Sequence, residues 1–176
     1  MQRLIAALVL ATLAGCEAKA PDDHAVLEEA GKLAEPLPGL YRSTTTFEGY
    51  ALPNADAEDA RIVRERLAGL SPQVREFCLT PADAKGGFRE MLKSMQDGDC
   101  TIERFAARRE ALDAQMRCTM KAGGSSLVTM TGTADPQSSR IKLEIEQMSD
   151  AIPGGEARMT IAIANQRTGD CPPDGK

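Results

Sequence analysis

A mainly β domain of the α+β class is predicted, an antiparallel meander or curved sheet of about six strands with one or two short helices packed on it. Three observations carry this expectation. Apolar and polar residues alternate with a period of two through most of the second half of the chain, most plainly in RIKLEIEQM over residues 140–148. Turn residues such as Gly123-Gly124, Asp135-Pro136 and Pro153-Gly154-Gly155 separate those runs at short intervals. Two earlier stretches instead repeat their apolar residues at spacings of three and four, as helices do.

Taken in order, the chain begins with a basic residue, Arg3, and an apolar run from Leu4 to Ala14 that ends in small residues. This is the layout of a secretory signal peptide, and it falls short of the roughly 20 residues that a membrane-spanning helix needs. The tetrapeptide Leu13-Ala14-Gly15-Cys16 resembles the lipobox of bacterial lipoproteins. That resemblance implies lipid attachment at Cys16, removal of residues 1–15 and a membrane anchor made of acyl chains such as palmitate. Glu17, where an inner-membrane lipoprotein usually has Asp, points the same resemblance toward the periplasmic side of the outer membrane. Residues 16–36 are polar and alanine-rich and are expected to form a flexible tether, with helical tendency around Ala25 to Ala34. A single disulfide-bonded β-rich domain is expected over residues 37–176.

The first strand is expected in GLYRSTTTFEGY, with Tyr41, Ser43, Thr45 and Phe47 on one face. Between Asn54 and Leu70, an Asn54 or Asp56 cap precedes a stripe of Ala60, Val63, Leu67 and Leu70, which predicts an amphipathic helix. QVREFC resumes an extended pattern up to Cys78. A second helix is expected from Pro81 to Met95, with Thr80 as its N-cap and Asp83 near the positive end of the dipole. Phe88, Met91, Leu92 and Met95 form its apolar face, and Gly86-Gly87 weakens its middle. TIERFAARRE and ALDAQMR then read as a hairpin, followed by strands that carry Val128 and Met130, Ile141, Leu143 and Ile145, and Met159, Ile161 and Ile163 on their inward sides.

Charge and cysteine usage exclude several classes. The formal net charge is −5 with no basic cluster, which argues against nucleic acid as a partner. Five cysteines stand at 16, 78, 100, 118 and 171, so a lipid on Cys16 leaves four for two disulfides in an oxidising compartment. Four cysteines allow three pairings. The hairpin reading favours Cys100 with Cys118 and leaves Cys78 for Cys171. No C-x2-C spacing occurs and the single histidine, His24, lies in the expected tether, so neither a metal site nor another cofactor is expected.

The same scarcity of histidine removes Ser-His-Asp and Cys-His catalysis. Asp97/Asp99 and Glu144/Glu146 read as turn and solubilising carboxylates, and QDGD lacks the ligand run of a calcium loop. Gly123-Gly124 sits between strands and lacks the Lys-Ser/Thr end of a phosphate loop.

Four stretches together, PGLYRSTTTFEG at 38–49, CLTPAD at 78–83, VTMTGTA at 128–134 and R-x-GDC at 167–171, resemble the domain of unknown function 3617 family. The resemblance implies a small envelope protein and supplies no catalytic residues. The functional expectation is therefore a noncatalytic outer-membrane lipoprotein, not an enzyme, that contacts another envelope protein through exposed surfaces such as Lys142, Glu144 and Glu146. The alternative is a carrier or sensor whose apolar face, including Met120, Met130 and Met159, holds a small apolar ligand.

Overall fold

The computed structural model describes residues 20–87, 99–120 and 123–173. Seven antiparallel strands form one open sheet: β1 (Gly39–Ala51), β2 (Gln73–Leu79), β3 (Cys100–Arg108), β4 (Ala111–Thr119), β5 (Ser125–Ala134), β6 (Ser138–Met148) and β7 (Glu156–Gly169). Their spatial order is β2-β1-β7-β6-β5-β4-β3. The expected meander accounts for β3 through β7, whose neighbours in sequence are neighbours in space. The seven strands agree with the expected sheet of about six, and β1 returns to pair with β7 and carries β2 as a further edge.

Residues opposite one another in antiparallel strands share a face, so the registers assign the two sides of the sheet. Ile102, Met116, Val128, Ile145, Met159 and Tyr50 form one row across six strands, and Ala107, Leu112, Gly132, Ile141, Ile163 and Thr45 form another. This apolar face is the core side. The opposite face carries Lys142, Glu144, Glu146, Arg117 and Asp113, where exposed pairs such as Glu103 with Arg117 and Lys142 with Glu144 meet at 2.7 Å.

Two of the three register shifts explain where strict alternation fails. An extra residue between Ile102 and Arg104 lets both Ile102 and Phe105 face the core, and another between Phe47 and Gly49 does the same for Phe47 and Tyr50. Such bulges bend a strand and increase its twist.

Three short helices accompany the sheet. The first, α1 (Asp23–Ala30), is capped by Asp22, whose carboxylate accepts the Ala25 N–H at 2.8 Å. It lies over β3, and Val26, Ala30 and Leu33 join Ile102, Leu112, Met116 and Met130 in one buried cluster. The tether expected over 16–36 is thus corrected for its second half: apolar residues at spacings of four and three make residues 23–33 part of the folded unit. A Glu29 oxygen also accepts the Ala107 N–H, so the helix is tied to the sheet by polar as well as apolar contact.

The second helix, α2 (Ala57–Leu67), is narrower than the span from Asn54 to Leu70, and Asp56 is its cap. Its stripe does not reach the core. Val63 and Leu67 are half-buried and Leu70 is 53% exposed, while Arg61 bridges Glu58 and Glu65 along the solvent side. The third, α3 (Pro81–Gly86), begins as expected, with the Thr80 hydroxyl accepting the Asp83 N–H. Phe88, Met91, Leu92 and Met95 lie outside the described residues.

Backbone geometry marks two turns. Gly154 has φ of 75°, and a Cβ there would lie 2.3 Å from the Asn54 carbonyl carbon, so only glycine lets the β6–β7 connection pack against the chain leaving β1. Arg109, at the tip of the β3–β4 hairpin, has φ of 44°. An L-residue pays about 1–2 kcal/mol for that conformation and glycine offsets part of the gain through its own entropy. Arg109→Gly is therefore expected to raise stability by about 0.5–1 kcal/mol, read as a higher urea midpoint; a lower midpoint would show that the arginine side chain supplies the hairpin's stability.

Candidate functional site

A cavity of about 310 Å³ opens at the end of the apolar face where β1, β2, β6 and β7 meet the β5–β6 turn. Its walls are Pro36, Tyr41, Phe77, Leu79, Gly87 and Ala134, and its polar residues are Asp135, Ser138, Ser139 and Asn165. The strand registers create it. Tyr41 lies opposite Phe77, and the row Ala134, Ser139, Asn165, Ser43 crosses β5, β6, β7 and β1 directly.

The aromatic wall is rigid. Tyr41 and Phe77 stack with centroids 5.6 Å apart and planes 16° from parallel. The Tyr41 hydroxyl donates to the Leu37 carbonyl at 2.7 Å, with the Pro136 carbonyl at 3.2 Å. Burial pushes this phenol above its ordinary range; Arg167 pulls it back and Asp135 adds to the rise.

Two charged groups by the cavity, Asp135 and Arg167, are committed to the protein, while Arg75 stands over the Phe77 ring at 5.9 Å. Asp135 accepts the Ser138 hydroxyl at 2.6 Å and the Gln137 and Ser138 N–H groups at 2.7 and 2.8 Å. These bonds, the Ser138 hydroxyl first, hold its carboxyl below the usual carboxylate range. Arg167 donates to the Pro38 carbonyl at 2.9 Å and pairs with Asp170. The neutral row is less fully used. Asn165 donates one amide N–H to Ser139 Oγ at 2.9 Å, and Ser43, 1% exposed, has a buried hydroxyl with no protein partner.

The structure pairs the cysteines as Cys78–Cys171 and Cys100–Cys118, with Cα atoms 5.5 and 4.0 Å apart. The first pair ties the chain beyond β7 to β2, one residue from the cavity wall at Leu79. Cys16 lies outside the described residues. The three methionines of the expected ligand face are not brought together in the cavity. Met130 is buried beneath α1, Met159 is half-buried between Ile145 and Tyr50, and Met120 sits at the β4–β5 turn, its N–H donating to the Gly124 carbonyl.

Of the two acid pairs, Glu144 is bound to Lys142, Glu146 is exposed, and Asp99 offers its backbone carbonyl to the Thr119 N–H; Asp97 lies outside the described residues. Among the described residues no three His, Cys, Asp or Glu side chains converge as a metal site would require, and no helix is long and apolar enough to cross a membrane.

Sequence reasoning missed Ser139, Asn165 and Phe77. A signal was present for two of them: Ser139 continues the inward side of Ile141, Leu143 and Ile145, and Asn165 continues that of Ile161 and Ile163. Polar residues on the apolar side of a strand mark a place where that face stops being ordinary core.

The architecture is that of a small disulfide-tied protein: one open antiparallel sheet, a helix closing part of its apolar face and a cavity in the part that remains. Residues 36–171 match the family profile described as protein of unknown function (DUF3617), and the chain belongs to that family. No curated protein and no solved structure matches the chain.

Proposed function

We propose that the protein is a noncatalytic module of the bacterial cell envelope, held to the outer membrane by lipid on Cys16 and acting through contacts of its folded domain. The observation that carries this reading is the cysteine pattern. Four cysteines stand in two pairs across the fold, a use of cysteine suited to an oxidising compartment, and the fifth ends the apolar leader. The exposed sheet face supports contact in place of chemistry, because its charges are spent on one another in pairs such as Arg104 with Asp113 and Lys142 with Glu144.

Fractionation tests the anchor. The wild-type chain is expected to partition with membranes and into a detergent phase, since each buried acyl CH2 contributes about 0.8 kcal/mol. Cys16→Ser is expected to block lipid attachment and removal of residues 1–15, giving a precursor larger than the wild-type product and without acyl label. A wild-type product free of lipid and released with the soluble periplasmic fraction would defeat the proposal.

A further inference from the structure

We propose that the cavity walled by Tyr41, Phe77 and Ala134 binds one molecule of an uncharged amphiphile, an alkyl body of roughly ten carbons ending in a hydroxyl. This goes beyond the envelope role and does not depend on the anchor. The size follows from the volume: 310 Å³ holds roughly ten groups the size of a water or a methylene at about 30 Å³ each.

The polar end sets the head group. With one Asn165 N–H given to Ser139 Oγ, the Asn165 carbonyl oxygen is left to accept and the Ser139 hydroxyl to donate, a pair that matches the one donor and the lone pairs of an alcohol. Ser43 extends the row on β1 with a sealed, unpartnered hydroxyl. A stretch of core face that served packing alone would be more stable with apolar residues, because polar groups there lose their water. Asn165 and Ser139, half-buried at the cavity with hydrogen-bonding capacity to spare, have a use when a neutral polar group enters.

Charge excludes the other head groups. Asp135 is the ionised side chain among the residues that line the cavity, and it is committed to Ser138 and Gln137; Arg75 stands over the Phe77 ring at 5.9 Å but is not a lining residue. A carboxylate or ammonium head would lose its water without gaining a free counter-charge from the residues that line the cavity.

Photoaffinity labelling of the purified full chain tests this, using a ten-carbon primary alcohol with a mid-chain diazirine. Label is expected on peptides that carry Tyr41, Phe77 and Ala134, saturable, and suppressed by excess 1-decanol about tenfold more effectively than by decanoate or decyltrimethylammonium. Ser139→Phe fills the cavity and is expected to remove the label. Asn165→Leu keeps the apolar volume and is expected to weaken competition by 1-decanol about tenfold. Formation of both disulfides and unchanged protease resistance certify each variant, and Ala134→Leu replaces Ser139→Phe as the filling variant if the latter does not fold. Labelling that does not saturate, that survives a folded filling variant, or that decanoate suppresses as well as 1-decanol overturns the proposal.

Discussion

Removal of the Cys78–Cys171 disulfide by a double change to alanine is expected to cost about 4–5 kcal/mol, and the same treatment of Cys100–Cys118 about 3. The difference comes from the loops they close, with sequence separations of 93 and 18. In the chain-entropy account the longer loop restricts the unfolded ensemble more. For a chain of this size the larger loss lowers the melting temperature by about 10–20 °C. Location adds to the contrast. Cys100 and Cys118 are opposite residues of one hairpin, already held by its backbone ladder, whereas Cys78 lies on an edge strand whose residues from Gln73 to Phe77 are exposed. Thermal unfolding of the two variants in parallel checks the order, and an equal or reversed order would mean that the β2 edge is held by something other than its disulfide.

The second large effect is expected at Val26. It is 1% exposed, so Val26→Asp sets a carboxylate into the cluster of Leu112, Met116 and Met130. The helix is expected to leave the sheet instead of burying the charge. The cost is bounded by the docking it forfeits, about 3–6 kcal/mol for two large apolar side chains, Val26 and Leu33, at about 1.5–3 kcal/mol each. Hydrogen exchange over residues 23–30 and the urea midpoint report it together. Were these residues a tether, neither measurement would change.

This contrast shows what was legible in the chain. The strands from 111 to 164 could be read because each has one wet face and one dry face, which writes a period of two into the residues. The hairpin of β3 and β4 was legible for the same reason, and it led to the cysteine pairing seen in the fold. The docking of α1 was not legible. Val26, Ala30 and Leu33 are few among Glu28, Glu29 and Lys32, and only the presence of Met116 and Met130 opposite them turns a weak stripe into a core contact. The reverse holds for α2, whose apolar residues repeat well and yet stay half-buried, because a stripe records what a helix can bury and not what stands in front of it.

The cavity was the least legible part. Its residues come from β1, β2, β5, β6 and β7 and from the turns beside them, and no local pattern says that β7 will pair with β1. The polar row of Ser43, Asn165 and Ser139 exists only once that pairing is made.

The strand order also governs when the molecule can finish folding. A chain emerging vectorially from a ribosome or a translocation pore has β1 and β2 available early, yet β1 is an interior strand whose second neighbour, β7, is made after all the others. The ladder that matches Thr45 with Ile163 must wait for that last strand. Until then β1 presents one unpaired edge, and the hairpins of β3 to β6 have nothing to join them to it. Such long-range pairing is slow relative to local hairpin formation. Closure of the sheet is therefore a late event, and Cys171 reaches Cys78 once β7 has paired with β1.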